Sequence, residues 1–163
     1  MDVVIFIGSA SDADVVKDAL DTLKAFEVSF EIDVTSAHRS PERTVSLVRR
    51  AEAEGAEVFI AVAGKAAHLG GIVAAHTVRP VIGVPVESGG LGGLDALLST
   101  VQMPKGIPVA TMGTGKTGAA NAALLAVQIL SVKHPDLRRK LADFKARMAA
   151  QVESDSEKVR RSL

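Results

Sequence analysis

The chain has 163 residues with 19 basic and 19 acidic side chains, a balance that gives no support for a nucleic-acid or membrane-surface partner. It has no cysteine, which rules out disulfides, thiol catalysis and cysteine-bound zinc, and its 47% hydrophobic residues suffice for the core of one ordinary domain. Tryptophan and tyrosine are absent, so bases or sugars are not expected to rest on aromatic platforms.

Met1-Asp2 leads directly into the apolar run Val3 to Ile7, which reads as a strand. The start lacks the basic region and apolar length of a signal peptide, no run reaches membrane-span length, and a cytoplasmic location is expected. The strand empties into Gly8-Ser9-Ala10-Ser11-Asp12, where a glycine turn, two hydroxyls and the amides of a helix start suit a phosphate monoester. Asp12 either caps the helix expected over 12–26 or offers its carboxylate to a ribose diol. A second strand, Phe30 to Val34, delivers Ser36-Ala37-His38-Arg39-Ser40-Pro41 to the same kind of position, with Pro41 opening a helix over 41–54. Imidazole exchanges protons near neutral pH and guanidinium clamps phosphate or carboxylate, so His38 and Arg39 form a shuttle beside an anion clamp.

A third strand, Val58 to Val62, leads through Ala63-Gly64-Lys65-Ala66-Ala67-His68-Leu69 into a helix over 67–77. Small residues there let a ligand approach the backbone, and His68 at a helix N-terminus is expected to be a neutral hydrogen-bonding group. No carboxylate accompanies His38 and His68 at ligand-like spacing, so no metal is expected, and His76 and His134 read as structural or surface residues. The fourth strand, Val81 to Val84, is followed by five glycines between Gly83 and Gly93 counting its own, a lid or merely a close crossing. A helix over 92–101 and a last strand, Pro108 to Thr111, complete the sheet.

Ala110 to Thr117 fits the permissive phosphate-loop pattern with alanine in place of the first glycine. It closes the sheet instead of opening it, and no later strand ends in a magnesium-binding aspartate, so nucleotide hydrolysis is not expected. Helices over 116–132 and 136–160 finish the chain. Residues 1–134 form one catalytic domain in this reading, and 135–163 a charged helical arm that is either solvated or packed on a neighbouring subunit. Apolar strands alternating with helices define a three-layer, doubly wound parallel α/β sheet, flavodoxin- or Rossmann-like, with a C-terminal extension helix.

These motifs occur together and in order with Pro80-Val-Ile-Gly-Val-Pro85, Leu98-Ser-Thr-Val-Gln-Met-Pro104, Gly106-Ile-Pro-Val-Ala-Thr111 and Asn121-Ala-Ala-Leu-Leu-Ala126. The chain thereby resembles the catalytic subunit of phosphoribosylaminoimidazole carboxylase, the PurE family of purine biosynthesis, over nearly all of residues 1–150. Ala66-Ala-His-Leu69 resembles the class I branch, which interconverts N5-carboxyaminoimidazole ribonucleotide and its 4-carboxy isomer without metal or organic cofactor. The resemblance implies His38 as proton shuttle with His68 bonding nearby, and Ser11, Ser36 and Arg39 on the phosphate beside Ala37. It also implies Asp12 on the ribose, Ser9 near the transferring carboxylate, and Gly64, Ala66, Ala67 and Leu69 walling the base. It implies a homo-octamer as well. Two positions depart from the common pattern: Lys65 for a glycine, which adds a cation near the expected carboxylate pocket or points to solvent, and Gly70 for a proline, which loosens a helix start. The alternatives are the class II carboxylase, which takes carbon dioxide directly, and a non-catalytic nucleotide-binding module on the same fold.

Overall fold

Three apolar runs of five to seven residues, Val3–Ile7 (β1), Val58–Gly64 (β3) and Val81–Val86 (β4), are buried almost throughout, as strands covered on both faces must be. A computed structural model describes residues 1–163 and pairs them as the middle of a five-stranded parallel sheet. Phe30–Val34 (β2) and Ala110–Thr111 (β5) are its edges, in the order β2-β1-β3-β4-β5. Helices lie on both sides in a flavodoxin-like arrangement, as the alternation of strands and helices predicts.

The helices begin where local chemistry starts them. Ala13–Ala25 (α1) follows a 3-10 turn over Ala10–Asp12 that Ser9 caps, its hydroxyl accepting from the Ser11 amide. Pro41–Ala53 (α2) opens on proline, whose missing N–H would have no partner in a first turn. Leu69–Ala75 (α3) and Leu94–Val101 (α4) complete the crossovers around β3 and β4. Gly115–Ser131 (α5) is rich in alanine, and Ala119, Ala122, Ala123 and Ala126 are fully buried. One core cluster joins Val4 and Phe6 of β1, Phe59 and Ala61 of β3, Leu47, Val48 and Ala51 of α2, Leu69 and Val73 of α3, and Ala96 of α4. Phe6 and Phe59 stack at its centre with ring centroids 5.9 Å apart.

The structure departs from the sequence expectation at several points, β3 and β4 each running two residues past their expected ends. β2 is not buried on both faces: Ile32 and Val34 are 37% and 47% exposed, while Glu31 and Asp33 turn toward α2 and pair with Arg43 and Arg50. β5 shrinks to two residues paired with Ile82 and Gly83, because Pro108 has no amide to give the ladder. α3 starts at Leu69 and not at 67, because Lys65 takes a left-handed backbone (φ +55°) and the amides of Ala67 and His68 turn back onto the carbonyls of Lys65 and Ala66.

By its internal contacts the chain divides into Met1–Val127, which holds the whole sheet, and Gln128–Leu163. In the second unit the Arg138 guanidinium donates to the carbonyls of Ser131 and Val132, closing the exposed end of α5. Pro135–Ser162 (α6) then runs 28 residues, about 42 Å at the α-helical rise. Leu141 is buried, but every residue from Lys145 onward is exposed, and pairs such as Asp155–Lys158 and Glu157–Arg161 lace the surface. No helix is long and apolar enough to cross a membrane.

Gly83 is the tightest point of β4. A Cβ there would collide with the Thr100 methyl of α4 and come within 2.9 Å of Val109. Gly83→Ala should therefore destabilise the fold by about 1–3 kcal/mol in chemical denaturation. Adding Thr100→Ser, which removes the methyl and keeps the hydroxyl bond to Ala96, should recover part of the loss. An unchanged Gly83→Ala midpoint would contradict this packing.

Candidate active site

Strand register decides which residues can meet. Ile7, the last residue of β1, lies opposite Val34 of β2 and Val62 of β3, so the loops after β1 and β2 leave the sheet at one level and β3 runs two residues past it to Gly64. They enclose a pocket of about 530 Å³ with Gly8, Ser9, Ser11 and Asp12 on its floor. Ser36 to Arg39 form one wall, and Ala63 to Ala66 with Leu69 and Ser88 form the other. This is the carboxyl edge of a doubly wound sheet, where such folds bind ligands.

The β2–α2 loop is locked before any ligand arrives. The Ser40 amide donates to the Ser36 carbonyl, the Ser36 amide donates to the Ser40 hydroxyl, and the buried hydroxyls of Thr35 and Thr44 bond at 2.8 Å. The loop thus presents His38 and Arg39 from a closed turn. The Arg39 guanidinium donates to the Gly8 carbonyl at 3.2 Å and to the Ser36 hydroxyl at 3.4 Å, so it leans across the head of β1.

His38 and His68 meet over the pocket wall. Nε2 of His38 lies 2.8 Å from Nδ1 of His68, with the rings nearly perpendicular. His68 is the residue before α3 and its side chain caps no amide, which leaves that nitrogen for His38. A contact this short needs one N–H donor and one lone pair, so the two rings cannot both be fully protonated while it lasts. Two imidazoles on one tetrahedral zinc would sit about 3.3 Å apart, so these facing nitrogens do not bracket an ion. No group of three or more acidic, histidine or cysteine side chains is placed to hold a metal.

Asp12 lines the pocket and does not cap α1 with its side chain. It stands at the start of α1 but its carboxylate bonds no helix amide. It accepts instead from the Ser11 hydroxyl at 3.2 Å, which also lies 2.9 Å from the Ser9 hydroxyl. At 8% exposure, burial pushes its carboxyl up, against the lowering effect of the Ser11 and Ser9 hydrogen bonds.

Of the residues singled out in the sequence, Ser9, Ser11, Asp12, Ser36, Ala37, His38, Arg39, Gly64, Ala66 and Leu69 line this pocket, and His68 joins it through His38. Ala67 does not: its side chain is 3% exposed and belongs to the core cluster, because the turn after Lys65 sends Ala66 outward and Ala67 inward. Ala63, Lys65 and Ser88 line it without having been chosen as site residues. Ser88 follows the C-terminal end of β4 and packs so closely on Gly64 that a Cβ on Gly64 would strike its hydroxyl. Its place just past a strand end was the available signal.

The phosphate-loop look-alike is otherwise engaged. Lys116 pairs with Asp14 at 2.6 Å, which raises the lysine and lowers the carboxyl, and Thr114 donates to Glu87. The Gly113 carbonyl oxygen lies so close to Gly118, in the first turn of α5, that no Cβ would fit between them. A carbonyl oxygen at that turn opposes a phosphate instead of cradling it.

Fold and pocket together define an α/β domain with a pocket at its strand ends, lined by Arg39, Asp12 and serine side chains beside a histidine pair. The sequence matches the family model described as AIR carboxylase over residues 2–151, and the chain belongs to that family. It is 56% identical over 144 residues to the N5-carboxyaminoimidazole ribonucleotide mutase of Pyrococcus abyssi, covering 88% of this chain and 82% of that one. It is 49% identical over 158 residues to the mutase of Brucella melitensis, covering 97% and 96%. Among solved structures, Treponema denticola PurE superposes with a TM-score of 0.87 at 29% identity, over 96% of each chain.

Ionising Asp12 costs the folded chain more than the unfolded one, because burial holds its folded value above the ordinary carboxylate range. That cost is absent in acid, where both states are protonated, grows as pH rises from the unfolded to the folded value, and persists above it. Asp12→Asn should therefore unfold at a higher temperature than the unaltered protein at pH 7, and the two should converge as pH falls through the carboxylate range. A lower melting temperature for the variant at pH 7 would contradict it.

Proposed function

We propose that this protein is an N5-carboxyaminoimidazole ribonucleotide mutase of purine biosynthesis, moving a carboxyl group from an exocyclic nitrogen to carbon 4 of the imidazole ring. The observation that carries the reading is the His38–His68 contact of 2.8 Å beside a pocket that also holds Arg39 and Asp12. The family and the names of its relatives agree with it.

In this reading Arg39, Ser36 and Ser11 hold the 5′-phosphate, and Asp12 accepts hydrogen bonds from the ribose hydroxyls. Gly64, Ala66 and Leu69 wall the base; Ser9, whose hydroxyl is bonded to Ser11, supports the floor near the carboxylate. His38, in its protonated form, gives a proton to the carbamate nitrogen, and the C–N bond breaks to release carbon dioxide within the pocket. Carbon 4 attacks the trapped molecule, forming the C–C bond, and His38 takes the carbon 4 proton. One proton leaves the pair and one returns, so the pair ends as it began. Retaining carbon dioxide makes the second step effectively intramolecular, and the surrounding walls limit its escape.

His38→Asn should lower turnover of the carbamate ribonucleotide by at least about a hundredfold while leaving ribonucleotide affinity within a few-fold. Steady-state kinetics with parallel titration calorimetry would read both, and a variant with near-normal turnover would refute the shuttle.

The partner in this reading is a small ribonucleotide, and the assembly a homo-oligomer, an octamer by the family resemblance, with α6 packing on a neighbour. Its exposed Met148, Val152 and Val159 suit such packing. Light scattering on the full chain should give several times the 16.9 kDa protomer mass, and a monomer at micromolar concentration would overturn this assembly.

A further inference from the structure

Lys65 is one of two non-glycine residues with a left-handed backbone, and it stands on the pocket wall. That conformation is strained for an ordinary side chain relative to glycine, and strain of this kind gathers where function requires a side chain. Its stem crosses to the β4–α4 loop, with Cε within 3.7 Å of where a Gly89 Cβ would stand. The ammonium pairs with no carboxylate and donates no hydrogen bond within the chain. Lys65 is therefore an unneutralised cation fixed at a strained position, in a stretch where the resembled pattern has glycine.

The second pocket cation is Arg39, on the opposite wall. β1 separates the strands that carry them, so their roots lie two strand spacings apart, about 10 Å. Between them stands one acidic side chain, Asp12, and the serine hydroxyls. Two cations at opposite ends of a pocket match a ligand with two separated anionic groups. We propose that Lys65 is a specificity residue that binds the carboxylate on the base while Arg39 binds the phosphate, so that the pocket selects carboxylated over uncarboxylated aminoimidazole ribonucleotide. This rests on the mutase reading and names the group that holds the moving carboxylate at its destination.

The test compares calorimetric affinity for 4-carboxyaminoimidazole ribonucleotide and for aminoimidazole ribonucleotide, which share the phosphate and differ in the carboxylate. Lys65→Met should lose on the order of tenfold for the carboxylated ligand and less than about twofold for the other, because a hydrogen bond to a charged group is removed in only one case. Lys65→Arg should keep the preference. Lys65→Gly, which removes the ammonium and the backbone strain together, should lose it as Lys65→Met does, so a folding defect cannot imitate the result. Equal losses for both ligands, or no loss for either, would overturn the role of Lys65 and leave the mutase reading standing. Arg39→Ala should weaken both ligands alike; if the unaltered protein binds neither, the mutase reading fails and the Lys65 assignment with it.

Discussion

The parallel register of β1 between β2 and β3 is the constraint on which the site depends. Ile7 faces Val34 on one side and Val62 on the other; Gly8 and Thr35 begin two loops of the pocket, while Ala63 and Gly64 carry β3 on to the third. A slip of one residue in either ladder would turn the core face of a strand outward and move its loop by about 3.3 Å. Such a slip is opposed by packing: Val3, Val4, Ile5 and Phe6 are at most 1% exposed, so a displaced side chain would meet close-packed neighbours on either face. The hydrophobic core thus fixes chemical distances as well as stability, and 2.8 Å between two imidazoles is held by strands neither histidine belongs to.

Local hydrogen bonds refine what the register sets. The Ser36–Ser40 closure and the buried Thr35–Thr44 pair remove freedom from the loop carrying His38 and Arg39, so a ligand need not pay that ordering cost on binding. Asp12 works the other way. Its burial opposes its own charge, and the Ser11 and Ser9 bonds only partly offset the effect. The domain accepts this instability at one buried carboxylate, which is how a prepared polar site differs from well-packed core.

Much of this was legible in the residues, for physical reasons that also mark where legibility stops. β1, β2 and the start of α2 announce themselves by short apolar runs and by Pro41, signals local to the segment. The rule that ligands gather at carboxyl ends of parallel strands then brings the Gly8, Ser36 and Gly64 segments together without knowledge of any side-chain contact. Orientation is different. Nothing in Ala66-Ala67 says which alanine faces the pocket; the left-handed turn at Lys65 decides, and that turn is unexpected of a lysine. The meeting of His38 with His68 likewise depends on two loops thirty positions apart, and Ser88 enters the pocket only because β4 extends two residues past its expected end.

The segment from Ala110 to Thr117 carries a wider consequence. Its spacing satisfies a phosphate-loop pattern, yet Gly113 turns its carbonyl oxygen onto the first turn of α5 and Lys116 reaches Asp14 on α1. What a sequence pattern records is the order of residue types along a line. Whether that line becomes an anion cradle or a strut depends on a rotation of single peptide planes, which reverses the polarity offered to a visitor while leaving every letter unchanged.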